Sequence, residues 1–184
     1  MSQSPKIIAG VVVASAGLIA FVGVREGREH VPYRDVGGVW TVCDGITRGV
    51  IPGRTYTDAE CDALLRGEVE RHGQAVLACT TMKTGVLLKQ HEYDAFADLA
   101  YNVGTANVCA SCLPGKECLG DLIRAGKMPE ACDRILAYSK VRINGELRDC
   151  SDPRWNCRGV WLRRKADYDI CTGSKPVTKL GVIG

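Results

Sequence analysis

The sequence predicts an α+β fold, with a small hairpin sheet ahead of a predominantly helical body. Two observations carry this. Between Val31 and Gly53, glycine, proline and β-branched residues are dense, and Gly38–Cys43 alternates as a half-buried strand does. From Thr57 onward, apolar residues recur at the three-and-four spacing of amphipathic helices. Runs of strand followed by runs of helix are the pattern of segregated α+β domains.

The chain opens on Ile7–Val24, 18 residues without a charge. A membrane span needs about 20 apolar residues, with a usable range of about 17–25. This segment is weakly hydrophobic, because Gly10, Ala14, Ser15, Ala16, Gly17, Ala20 and Gly23 dilute its aliphatic side chains. Lys6 precedes it, while Arg25 and Arg28 behind it are offset by Glu26 and Glu29, so the charge bias favours an inside amino terminus and an exported body. Three readings stand. Ala14–Ala16 resembles a signal-peptidase site, which makes a cleaved signal one of them. The second is a permanent anchor. The third is an uncleaved export signal that later leaves the bilayer, which the weak hydrophobicity suits. A buried core helix is the plainer alternative, disfavoured by an unbroken apolar run at the extreme terminus. The expected organisation is a signal-anchor segment over 1–24, a catalytic domain over 25–173 with Cys-rich loops, and a tail over 174–184.

In the body, Thr57 with Glu60 forms a capping box that satisfies two orphan donors at a helix start. Behind it, Leu64, Leu65, Val69, Val76 and Leu77 make an apolar stripe. Gln90–Val103 reads as a second helix, with Tyr93, Phe96, Ala97, Ala100 and Tyr101 inward and Gly104 as its stop. Shorter helices are expected at Leu119–Ala125 and Pro129–Tyr138, and a final one at Arg158–Cys171. Val108–Glu117 and Ser139–Asn156 read as loops.

Net charge is +3, which excludes a polybasic nucleic-acid binder and an acidic disordered tail. Ten cysteines spread along the chain point to disulfides and an oxidising compartment. Zinc is the competing reading at Cys109–Cys112, a CxxC; it is disfavoured because no second CxxC or CxxH pair accompanies it. No metal or cofactor is expected.

Directly after the apolar segment stand two carboxylates, Glu26 and Asp35, on a glycine-rich hairpin. Such a pair suits glycosidic cleavage: one protonated carboxyl assists the leaving oxygen, and the other activates water or stabilises an oxocarbenium-like transition state. Beside an apolar segment Glu26 is the better acid, since desolvation raises a carboxyl pKa, although Arg25 and Arg28 oppose that. Asp35 sits in a polar turn and is expected to be ionised. Two solvated surface carboxylates are the plain alternative.

The whole spacing, Glu26-Gly27-x5-Tyr33-x-Asp35-x2-Gly38-x2-Thr41, resembles the phage-type lysozymes of glycoside hydrolase family 24, the endolysins of tailed phages. The resemblance implies a lysozyme-like fold with a cleft between sheet and helical lobes. It makes Glu26 the general acid, Asp35 the second carboxylate and Thr41 the residue positioning the attacking water. Phe96–Cys109 resembles the family's cleft helix ending in F/Y-N-x-G, implying Asn102 and Thr105 as substrate contacts; Trp40, near the hairpin, is a candidate for sugar stacking. Arg158–Cys171 resembles the family's C-terminal GLxxRRxxE helix, with Asp167 replacing the usual Glu. Family placement also suggests the bridges Cys43–Cys61, Cys79–Cys109 and Cys132–Cys171, leaving Cys112–Cys118 and Cys150–Cys157 to close the inserted loops.

The front end resembles the signal-anchor-release endolysins, which are exported, tethered in the inner membrane and active only after escape. With no cysteine before Cys43, a thiol switch from the anchor is not available, and restraint is expected to be conformational. The implied partners are peptidoglycan, the host inner membrane transiently through residues 7–24, and the host secretion machinery, with a monomeric enzyme ending in the periplasm. His30, His72 and His91 read as structural or solvated residues, and Arg158, Arg163, Arg164 and Lys165 as a solvated helix face. The alternatives are a lytic transglycosylase, against which Asp35 and Thr41 argue, and an anchored disulfide-rich binding protein without catalysis.

Overall fold

The computed structural model describes residues 13–35, 37–112 and 117–177. The first third of the apolar segment, residues 7–12, and the end of the tail, 178–184, lie outside them. The chain is α+β, as expected, with eight α-helices and two separate two-stranded antiparallel sheets among the described residues.

The N-terminal helix α1, Ala16–Glu26, is part of the folded body. Leu18, Phe21 and Val22 are fully buried in the main hydrophobic core beside Leu65, Val69, Phe96 and Leu99. Each such side chain contributes about 1.5–3 kcal/mol on burial, so the three together are comparable with the ~5–15 kcal/mol net stability of a whole domain. The helix start is tied to the body as well. Ser15 caps it by accepting from the Leu18 N–H at 3.0 Å, the Ser15 N–H donates to Asp94 Oδ1 at 3.1 Å, and the Ala14 N–H donates to Glu70 Oε2 at 2.8 Å. Carboxylates at a helix N-terminus also complement its dipole. A core helix, the alternative that the unbroken apolar run disfavoured, therefore describes residues 16–26 in this structure. No helix among the described residues is long and apolar enough to cross a membrane.

Gly27, at φ +70°, ends α1 and turns the chain into the hairpin β1 (Glu29–Arg34) and β2 (Trp40–Cys43). The register pairs Tyr33 with Thr41 and Arg34 with Trp40. The alternation expected over 38–43 is not seen, since Thr41, Val42 and Cys43 are all buried. Val42 bridges back to Ile46, and Cys43 turns at φ +55° into its disulfide with Cys61, so both faces of the strand end are covered. These residues, with Tyr56, form a second, smaller core.

Helix α2, Asp58–Cys79, starts at the expected Thr57–Glu60 capping box. A short helix α3, Thr81–Thr84, leads to α4, Gln90–Val103, which ends at Gly104. Residues 92–100 of α4 are all buried, so it is the central helix rather than an amphipathic one, packed between α2, α1 and the last helix, α8 (Arg158–Cys171). Around it lie α5 (Thr105–Cys109), α6 (Leu119–Arg124) and α7 (Met128–Ile135), followed by a 3₁₀ turn at Leu136–Tyr138. The expected loop over 139–156 contains a hairpin, β3 (Lys140–Ile143) and β4 (Glu146–Asp149). Its turn is Asn144-Gly145, both at positive φ, the two-residue turn that matches strand twist.

Five disulfides join the ten cysteines, in the pairs that family placement suggests. Cys43–Cys61 holds the hairpin to α2, Cys79–Cys109 holds α2 to α5, and Cys132–Cys171 holds α7 to α8. Cys112–Cys118 and Cys150–Cys157 close short loops.

The segment after α8 crosses α1. A Cβ on Gly17 would lie 2.6 Å from the Val177 carbonyl oxygen, so only glycine lets the two backbones approach. Gly17→Ala is therefore expected to destabilise the full chain by about 1–3 kcal/mol in urea titration. In a chain ending at Gly173 the same change should be neutral or stabilising by about 0.5–1 kcal/mol, because alanine is the better helix former. The same sign in both chains would show that Val177 does not constrain α1.

Candidate active site

Glu26 is the last residue of α1, and its side chain is partly exposed. Its Oε1 is ion-paired with Arg163 Nη1. Arg163 in turn chelates Asp98 of α4 through Nε (3.1 Å) and Nη2 (2.8 Å). One guanidinium thus joins α1, α4 and α8. The solvated helix face expected at 158–165 is corrected here: Arg163 and Arg164 are buried, and only Arg158 and Lys165 are exposed. The physical reason is that Arg163, Arg164, Ala166, Asp167 and Ile170 share the inward side of α8, where charges are tolerated only as mutually compensating groups.

Behind Arg163 the charges are fully buried. Arg164 Nη2 lies 2.8 Å from Asp167 Oδ2 and 3.9 Å from Asp98 Oδ2, without an aligned hydrogen bond among the described residues. Burial alone would raise the Asp98 carboxyl, but the Arg163 charge and hydrogen bonds, with Arg164, hold it at about 2. Burial and the Asp98 charge push the Asp167 carboxyl well above the ordinary carboxylate range, which favours its neutral form. Arg25 and Arg28, the expected opponents of Glu26, are engaged elsewhere. The Arg25 guanidinium stacks 3.9 Å from the Phe21 ring centre. Arg28 ties β1 to Asp44 (2.9 Å) and to the start of α2 at Asp58 and Asp62. His30 adds a contact to Asp58 at 2.9 Å.

Beside Glu26, Gly45 holds a backbone φ of +86° that favours glycine, and a Cβ there would lie 4.0 Å from Glu26 Oε2 and 3.9 Å from the Tyr101 hydroxyl. Tyr101 donates to the Asp44 carbonyl at 2.7 Å, joining α4 to the end of the hairpin. Burial and then the Glu26 charge raise its pKa, so this hydroxyl stays protonated.

The other expected residues are borne by separate elements. Asp35 lies at the hairpin tip, its Oδ1 accepting from the Gly37 N–H (2.8 Å) and the Val39 N–H (2.9 Å). Thr41 is buried on β2 and donates to the Val39 carbonyl at 3.2 Å. No hydrogen bond or ion pair among the described residues joins Glu26 to either. Trp40 is half-buried, with the Arg34 guanidinium 4.7 Å from its ring centre. Asn102 is exposed at the end of α4, and Thr105, opening α5, is hydrogen-bonded to His72 at 2.8 Å. His72 and His91 are not simply solvated: the first is half-buried against Tyr101, and the second bonds the Cys171 carbonyl at 2.8 Å. Among the described residues no cluster suits a metal ion.

The phage lysozyme family model matches residues 24–167. The chain belongs to the phage lysozyme family. It is a lysozyme-type glycoside hydrolase, and its substrate is peptidoglycan. It is 32% identical to the SAR-endolysin of Pseudomonas phage phiKMV, over 89% of this chain and 88% of that one. It is 30% identical to the SAR-endolysin of Bacteriophage PS119, over 95% and 99%. The fold is similar to an endolysin from Escherichia coli O157:H7 phage FAHEc1, with a TM-score of 0.69 at 23% identity, covering 90% of this chain and 96% of that one. It is also similar to the active form of P1 phage endolysin Lyz, with a TM-score of 0.67 at 20% identity, covering 89% and 87%. The fold class is therefore lysozyme-like.

Arg163 and Tyr101 are the site residues that motif reading passed over. The available signal was phase: Arg163 and Asp167 fall four apart on the stripe that also carries Ile170.

The buried pair gives a pH prediction. A carboxyl raised on folding contributes stability that is full below its unfolded value, about 3.9, and is lost as pH rises through its folded value. Asp167→Asn keeps a neutral donor without that loss. The variant should gain stability over the parent progressively as pH rises above about 4, read by urea titration from pH 4 to 9. A gap independent of pH would show that Asp167 is ionised in the fold.

Proposed function

We propose that the protein is a phage muramidase that hydrolyses the β-1,4 bond between N-acetylmuramic acid and N-acetylglucosamine from the periplasmic side of the host. The observation that carries this is Glu26 at the end of α1, partly exposed and held by Arg163 beside Gly45. Glu26 is the general acid that protonates the leaving oxygen. Asp35 is the second carboxylate, held by two backbone N–H groups. Thr41, whose hydroxyl proton is engaged by Val39, offers its lone pairs to a water. Hydrolysis, rather than the water-free reaction of a transglycosylase, follows from having the second carboxylate and Thr41.

Activation by membrane release belongs to the same reading. It rests on the SAR-endolysin names of the relatives and on the packing of α1. Residues 1–24 act as a weak export anchor through their apolar segment. While that segment is in lipid, Leu18, Phe21 and Val22 are withheld from the core and Glu26 from Arg163. On release the helix completes the domain, so anchoring and catalysis exclude one another.

Glu26→Gln should abolish turbidity clearing of cell walls while the parent clears them, and mass spectrometry of the parent's digest should show hydrated rather than anhydro sugar ends. Anhydro ends would make the enzyme a transglycosylase. A chain lacking residues 1–24 but carrying a cleavable signal should be unstable and inactive; full activity would remove α1 from the active fold.

A further inference from the structure

Four side chains from α2 and α5 form a line whose hydrogen-bond polarity is forced. Glu68 accepts from Arg71 Nε (3.0 Å) and Nη2 (2.6 Å). Arg71 Nη2 also lies 2.8 Å from His72 Nε2, and His72 Nδ1 lies 2.8 Å from Thr105 Oγ1. A guanidinium can only donate, so Nε2 must accept; the imidazole is then neutral with its proton on Nδ1. That N–H donates to Thr105 Oγ1, which leaves the Thr105 hydroxyl proton without an acceptor among the described residues and free to donate outward. The His72 ring stands edge-on to Tyr101, 5.8 Å between centres, and Tyr101 is the residue that adjoins Glu26 across Gly45. The line therefore runs past Tyr101, the residue through which it neighbours Glu26.

We infer that His72 is a positioning residue of the muramidase site, fixing Thr105 as a hydrogen-bond donor to a carbonyl or hydroxyl oxygen of the bound amino-sugar chain. The inference rests on the muramidase reading above. It makes the contact pH-dependent. Facing His72 are Arg71 and Glu68 on α2, Arg48 from the loop after β2, Tyr101 on α4 and the uncharged Thr105 on α5. Burial and the Arg71 charge, with Arg48 adding to them, keep the imidazole neutral against the weaker pull of Glu68. Once protonated, Nε2 no longer accepts and Arg71 repels the ring; Nδ1 still carries its proton, so Thr105 loses its fixed orientation through displacement of the ring away from it.

The test uses the full chain acting on a soluble N-acetylglucosamine–N-acetylmuramic acid oligosaccharide. His72→Ala and Thr105→Val should each raise KM about three- to tenfold, with kcat changed less than about twofold. His72→Asn, which can place an amide N–H near the Nδ1 position, should restore most of the affinity. Because burial and Arg71 lower the His72 pKa, the parent's KM should rise only at pH below the ordinary imidazole range, and this rise should vanish in His72→Asn. The double variant His72→Ala/Thr105→Val should be no worse than Thr105→Val alone. Additive losses, an unchanged KM, or the same pH profile in parent and His72→Asn would overturn the inference. If Glu26→Gln is inactive and these variants behave as the parent, the relay fails while the muramidase reading stands; if Glu26→Gln hydrolyses the oligosaccharide normally, the muramidase reading itself fails.

Discussion

Arg163 is the group on which the rest of the structure turns. A buried guanidinium is costly unless its donors meet acceptors, and Arg163 meets two, Asp98 in the core and Glu26 at the site. Asp98, held well below the ordinary carboxylate range by Arg163, belongs to the central helix and fixes the guanidinium through Nε and Nη2. The remaining Nη1 is then aimed where the end of α1 must arrive. Removing one partner of such a pair typically costs ~3–5 kcal/mol, so the fold and the placement of Glu26 stabilise one another.

This links the position of a single helix to chemistry. Helix α1 is short, rich in small residues and apolar on the side that meets α2 and α4. Its small residues let it pack closely in protein, as Gly17 does under Val177. Its N-terminus finds Glu70 and Asp94, its middle fills the core, and its last residue is Glu26. In the folded chain the position of that helix sets Glu26 against Arg163.

The motif around Glu26, Asp35 and Thr41 was legible because local turns demand fixed residue types at fixed spacing: Gly27 and Gly45 at positive φ, and Asp35 closing its own turn. Helices α2, α4 and α8 were legible from caps, stops and period. The hairpin at Asn144-Gly145 was also written locally and was passed over among the cysteines around it. Arg163, Arg164, Asp98 and His72 were not legible, because a charged residue in a sequence reads as solvated by default, and only its partners' positions show otherwise.

The sequence by itself determined the element order, the family motif and an unbroken apolar N-terminal segment, since these depend on short-range spacing and composition. Tertiary structure alone decided that α1 completes the core and that Glu26 answers to Arg163, 137 residues away. It also decided that His72 leans on Thr105 rather than on water. Those outcomes depend on long-range juxtaposition and on the cost of leaving a buried charge unpaired, and neither quantity is defined until the chain has folded.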